Sequence, residues 1–215
     1  MLQLNQVINR LENNMGKKNF WDKFAYEQEI KLNKTSQKTL DGTLEVISKS
    51  DEVLDFGCGS GDLTLAMAEH VKSIHGIDTS VSMIEASISK STEKENASFS
   101  CRDIHSVKDE YTVITAFNVL QYLKDHNSLF KKFNSILKQD GLFIIATAFM
   151  GEKKSFSTYF FAALSLLRIV PPINFITIKK ITSDLKNNGF TVISDVVISE
   201  GYSEHLIICK KTKQD

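Results

Sequence analysis

Apolar residues near the start of the chain recur at helical spacing, first Leu4, Val7, Ile8 and Leu11, then Phe20, Trp21, Phe24 and Tyr26. Thr39 to Ile47 repeats the pattern, so residues 1–48 read as helices. From there the period alternates. Short apolar runs predict strands at Asp51–Phe56, Ser73–Ile77, Ala97–Cys101, Tyr111–Phe117 and Leu142–Ala148. Amphipathic stretches predict helices at Leu63–His70, Val81–Lys90, Asp125–Lys138 and Lys179–Asn188. Two closely spaced strands end the pattern, Phe190–Val197 and Ser203–Cys209, joined by a turn at Glu200-Gly201. Strands alternating with helices predict an α/β fold built on a parallel sheet.

The first strand runs into Asp55 and then into Gly57, Cys58, Gly59, Ser60 and Gly61, with glycine at every second position before a helix begins. Glycine accepts a left-handed backbone and leaves no Cβ in the way of a ligand, so this loop is expected to lie against one. A dinucleotide turn would read G-x-G-x-x-G, but counting from Gly57 its third glycine falls on Asp62. The Asp55 carboxylate at the strand end would repel a pyrophosphate and favour a cationic ligand. A second acidic residue, Asp78, ends the next strand, where an open α/β sheet delivers side chains to its crevice. It has the chemistry to accept both hydroxyls of a ribose; alternatively Asp78, Thr79 or Ser80 caps the following helix.

Val53-Leu54-Asp55-Phe56-Gly57-Cys58-Gly59-Ser60-Gly61 resembles the first motif of class I S-adenosylmethionine-dependent methyltransferases, and Ile77-Asp78-Thr79-Ser80 with Met83-Ile84 resembles the second. The resemblance implies a doubly wound, seven-stranded, mostly parallel sheet with an antiparallel last strand and helices on both faces. It also implies that Asp103 accepts from the adenine amino group while the Ile104 amide reaches a ring nitrogen; the bland reading of Asp103 is a polar loop residue. Asn118-Val119-Leu120-Gln121-Tyr122-Leu123 is similar to the fourth motif, near the methionine end of the cofactor. The implied cofactor set is Asp55, Gly57, Cys58, Gly59, Gly61, Asp78, Thr79, Met83, Asp103, Ile104 and Asn118. Phe20 to Ala25, with Trp21, resembles an aromatic segment that covers the cofactor, and equally suits ordinary packing of a leading helix.

Composition narrows the picture. A chain of 215 residues suits one domain, expected as an N-terminal helical cap at 1–48, a cofactor core at 51–148, an apolar insertion at 150–178, and a last helix and strand pair at 179–210. The 26 basic and 26 acidic residues balance, so no global field recruits nucleic acid. The fourth-strand loop also lacks the Asn/Asp-Pro-Pro-aromatic sequence of base amino methylases. Cys58, Cys101 and Cys209 are scattered, and His70, His75, His105 and His205 show no metal-ligand spacing, so no metal is expected. With no leader pattern and no membrane-length apolar run, the expectation is a cytoplasmic protein.

The insertion contains Tyr159 to Val170, apolar but for Ser165 and Arg168, followed by Pro171-Pro172. Such a patch needs cover. The active-site mouth, a second subunit, and a membrane surface helped by Lys153, Lys154, Lys179 and Lys180 are its three options, with residues 155–175 as the homodimer or membrane contact. All three suit a small apolar or lipid-like acceptor. Trp21, Tyr26, Tyr122, His126 and Tyr159 are the residues expected near it; Tyr122 could instead simply pack, and His126 could cap its helix. No catalytic residue is assigned. A cofactor-fold accessory protein without turnover is the rival reading, and a nicotinamide-dependent oxidoreductase is disfavoured by Asp55 and Asp62.

Overall fold

The computed structural model describes residues 21, 32–92, 94–152, 173–201 and 203–212. A seven-stranded sheet organises them, in the order β3-β2-β1-β4-β5-β7-β6. β1 (Glu52–Phe56) lies at the centre, with β2 (Ser73–Asp78) and β4 (Tyr111–Phe117) parallel on either side. β3 (Ala97–Cys101) extends the sheet beyond β2, and β5 (Leu137–Ala148) beyond β4, again parallel. Between β5 and β6 (Phe190–Ser199) runs β7 (Glu204–Lys211), antiparallel to both. Strand order reverses between β1 and β4, which opens a crevice at the carboxyl edge of the sheet, the usual ligand position in such folds.

The central strands are largely apolar on both sides because both of their faces are covered. On one side Leu54, Ile77, Ile114, Phe143, Ile145 and Ile207 pack against α4 (His126–Ile136) and α5 (Ile178–Asn187) through Phe130, Phe133, Ile181 and Leu185. On the other, Val53, Ile74, Val113, Ile144, Leu206 and Ile208 meet Leu40 of α1 (Lys34–Leu44) and Met67 of α2 (Asp62–Ala68). Neighbouring residues such as Val53 and Leu54 thus serve opposite cores, as the two-residue repeat of a strand requires. The remaining helix, α3 (Val81–Lys90), follows β2.

Element ends depart from the sequence expectation where local chemistry intervenes. α1 starts at Lys34 rather than Thr39, because Asn33 Oδ1 accepts from the amides of Thr35 (3.0 Å) and Ser36 (2.9 Å). The helix expected to run to Lys138 stops at Ile136, and β5 begins at once: Leu137 is buried and pairs with Tyr111. Register then shifts before Val113 meets Leu142, with Asp140 in the left-handed region at φ 63°, which absorbs the extra residues as a bulge. The closing hairpin is longer than expected, since β6 continues to Ser199 and β7 to Lys211. Among the described residues no helix is long and apolar enough to cross a membrane.

Candidate functional site

The glycine loop joins β1 to α2 at the crevice. Gly57 has φ 72°, and a Cβ there would lie 2.7 Å from Val119 Cγ2, so the loop can pass beneath the β4 loop only as glycine. Gly59, at φ 53°, has open space where its Cβ would be. Gly61 plays a different part: a Cβ on it would press on Ser87 and Phe99, and it does not line the cavity described below. The amides of Gly57 and Cys58 donate to the Ile77 carbonyl at 2.8 and 3.1 Å, pinning the loop to β2.

Two carboxylates hold this loop. Asp55, only 2% exposed, accepts from the hydroxyls of Thr64 (2.5 Å) and Thr115 (2.7 Å), which ties β1 to α2 and β4. Burial pushes its carboxyl above the ordinary value of 3.8 despite those hydrogen bonds. Asp78 at the end of β2 accepts from the amide of Gly59 (3.0 Å) with one oxygen and from the amide of Ser80 (2.8 Å) with the other. The cap of α3 is Ser80, whose hydroxyl accepts from the Met83 amide at 3.3 Å.

These groups line a cavity of about 340 Å³, with Asp55, Gly57, Cys58, Gly59, Ser60 and Asp62 on the loop side, Asp78 and Met83 beside them, and Phe117, Asn118, Val119 and Tyr122 across the crevice. Leu32, Ser36, Leu63 and Trp21 complete it. Trp21 meets Tyr122 edge to face at a ring-centroid distance of 4.8 Å. Burial, followed by the nearby negative charges of Asp55 and Asp78, pushes the Cys58 thiol well above its ordinary range, so it stays protonated and is a poor nucleophile. Asn118 takes the left-handed conformation (φ 52°), its amide donating to the Ala146 carbonyl at 2.7 Å.

A second cavity of about 490 Å³ opens alongside and shares Ser36, Asn118 and Tyr122 with the first. Gln121, Ala148, Met150, Ile173 and Glu204 form much of its wall, with residues 33–35 at the start of α1. Gln121 is braced in place, accepting from the Thr147 hydroxyl (2.7 Å) and donating to the Asn118 carbonyl (3.0 Å). Burial raises the Tyr122 phenol above its ordinary value of 10.

Of the residues expected at the cofactor, Asp55, Gly57, Cys58, Gly59, Asp78, Met83 and Asn118 converge on the first cavity. Thr79 is exposed and outside it. Asp103 and Ile104 also lie outside: Asp103 Oδ1 accepts from the His105 amide at 2.8 Å, and Ile104 is buried in the core. Of the residues expected at the acceptor, Trp21 and Tyr122 face the cavities. His126 lines neither; it is buried, bonded through Nε2 to the Leu120 carbonyl (2.9 Å) and stacked on Phe130. Nor does its side chain cap α4, because Asp125 accepts from the Ser128 amide there. Tyr26, Tyr159 and most of the apolar insertion fall outside the described residues.

Sequence reading missed Ser36, Asp62, Gln121 and Glu204. Asp62 had a signal, since an acidic residue in the first turn of a loop-fed helix faces the loop; it accepts from Ser60 and pairs with Lys90 at 2.9 Å. Ser36 and Glu204 arrive only through tertiary packing. Among the described residues no cluster of His, Cys, Asp and Glu suits a metal ion.

A family model described as a methyltransferase domain matches residues 27–195. The ubiquinone biosynthesis O-methyltransferase of Coxiella burnetii is 27% identical over 107 residues, covering 48% of this chain and 46% of that protein. The chain thus matches about half the length of such relatives. One chain of the complex between the Haloferax volcanii Trm112 methyltransferase activator and a methyltransferase superposes with a TM-score of 0.76 at 14% identity, over 92% of this chain and 100% of that one. Magnesium protoporphyrin IX methyltransferase from Synechocystis PCC 6803, solved with bound SAH, gives 0.70 at 16% identity over 89% and 92%. At these identities the likeness is one of fold, and the family match covers most of the chain. The chain belongs to the methyltransferase-domain family and has the class I, Rossmann-like methyltransferase fold.

Proposed function

We propose that this protein binds S-adenosylmethionine in the glycine-loop cavity and transfers its methyl group to a small apolar or lipid-like acceptor. The observation that carries the reading is the pairing of Gly59 with Asp78. The loop is open where a side chain would stand, and its amide is tied to a carboxylate at the cavity wall. Each Asp78 oxygen accepts a backbone N–H at the cavity wall, which fixes there a carboxylate of the kind that accepts ribose hydroxyls. Trp21 and Tyr122 offer π surface near the end of β4, the kind that favours a cation such as a sulfonium. Gly57, Cys58, Gly59, Asp78, Met83 and Asn118 are the residues assigned to the cofactor.

When bound, S-adenosylmethionine supplies a methyl group already activated by a good sulfur leaving group. The protein's task is to exclude water and to hold the acceptor in line, which is worth on the order of 7 to 11 kcal/mol of the barrier. The second cavity, which shares Ser36, Asn118 and Tyr122 with the first, is the natural position for that acceptor. Ala148, Met150 and Ile173 make part of its wall apolar. The name of the Coxiella relative, which places it in ubiquinone biosynthesis, points to the same acceptor class.

The test is transfer of labelled methyl from S-adenosylmethionine to a panel of apolar phenols, quinols and lipids. Incorporation into any of them supports the reading. Tight cofactor binding without transfer to the panel would favour an accessory role.

A further inference from the structure

Glu204 is the first residue of β7, and β7 runs antiparallel to its neighbours. A strand in that direction delivers its first residue to the edge where the parallel strands end, and Glu204 pairs with Ala148, the last residue of β5. Its side chain therefore belongs to the same edge as Asn118 and lines the second cavity.

The residues on either side hold it there. His205 Nδ1 pairs with Asp195 Oδ1 at 2.6 Å, and His205 Nε2 lies 3.2 Å from the Ser203 hydroxyl. Phe149 packs edge to face on the His205 ring and donates its amide to the Ser203 carbonyl. With His205 fixed on one face of the strand, alternation turns Glu204 to the other, the side that also carries Leu206 and faces α1.

Glu204 differs from the other cavity carboxylates. Asp55 has two threonine hydroxyls, Asp78 two backbone amides, and Asp62 a serine and a lysine. Among the described residues the Glu204 side chain has no hydrogen-bond or ion-pair partner, Lys34 on the same cavity wall included. Partial burial raises its carboxyl above the ordinary value of 4.5.

We propose that the second cavity is the acceptor chamber and that Glu204 is a specificity-determining residue that receives the acceptor's O–H or N–H. The acceptor is then a protic molecule, apolar over most of its surface and without negative charge at the end that meets Glu204. The inference rests on the methyltransferase reading and narrows its substrate class.

The test is calorimetric titration of the full chain, with and without saturating S-adenosylhomocysteine, using two probes that share a ring system. 2-Naphthol carries an O–H; 2-methoxynaphthalene does not. Wild type is expected to bind 2-naphthol about tenfold more tightly, the scale of one hydrogen bond to a charged group. Glu204→Leu is expected to abolish that preference, and Glu204→Gln, which keeps the shape and an oxygen acceptor, to retain part of it. Unchanged S-adenosylhomocysteine affinity in both variants would show that the fold is intact. Equal affinities in wild type, equal losses for both probes in Glu204→Leu, or failure of 2-naphthol to bind would overturn the assignment. Discrimination between the probes without any S-adenosylhomocysteine binding would instead uphold Glu204 and overturn the cofactor reading.

Discussion

The two halves of the sheet's carboxyl edge satisfy their polar groups in different ways. On the β1–β2 side Asp55, Asp78 and Ser80 are tied to the backbone or to threonines, so the glycine loop is held in shape by its own chain. On the β5–β7 side Gln121 is braced but Glu204 is not. A side that binds one constant ligand gains from preorganisation, because little is left to order on binding. A side that chooses among acceptors needs a group whose partner is the ligand, since a polar site discriminates through what it leaves unpaired.

That contrast can be broken first at Asp55. Asp55→Ala removes the acceptor of the fully buried Thr64 hydroxyl and leaves Thr115 only the Leu54 carbonyl at 3.5 Å, and is expected to cost about 2 to 4 kcal/mol in chemical denaturation. A loss below about 1 kcal/mol would mean that the loop is held by other means. The glycines separate shape from binding. Gly57→Ala drives a methyl into Val119 and should cost about 1 to 3 kcal/mol of stability. Gly59→Ala meets no protein atom and should cost about 1 kcal/mol for its left-handed backbone, while S-adenosylhomocysteine affinity falls more than about tenfold. Similar binding losses in two stable variants would erase the distinction.

Asp78→Ala is expected to weaken cofactor binding by about 1 to 3 kcal/mol in a titration of the folded variant. Unchanged affinity would remove the ribose assignment. The smallest effect lies away from both cavities. Lys138 and Lys72 hold the Glu52 carboxyl down to about 2, from an ordinary 4.5. A depressed folded-state value stabilises the protein above about pH 4.5, and that contribution is lost as pH falls towards about 2. The melting-temperature gap between wild type and Glu52→Gln should therefore be small and positive near neutrality and close over that acid range.

The glycine-loop side of the crevice was legible because its parts sit in short contiguous stretches. Strand, acidic residue and alternating glycines follow one another from Val53 to Gly61, and the Asp78-Thr79-Ser80 turn repeats the logic one strand later. Even there, spacing could not tell a wall residue from a packing residue. Gly61 stood in a motif position, yet a Cβ on it would press on Ser87 and Phe99 and it lies outside the cavity wall. The second cavity was not legible, because α1, the end of β5 and the start of β7 meet only after the sheet closes, and no local pattern marks Glu204. His126, expected near the acceptor or as a helix cap, is instead a buried partner of the Leu120 carbonyl.

The central claim is that the Gly59–Asp78 cradle is built for S-adenosylmethionine rather than a dinucleotide. Calorimetric titration of the full chain with S-adenosylmethionine and S-adenosylhomocysteine, with NAD(H) as the control, tests it most directly. Micromolar binding of either sulfur ligand and none of NAD(H) is the predicted result. Binding of NAD(H) in their place, or no binding of the sulfur ligands, would contradict it.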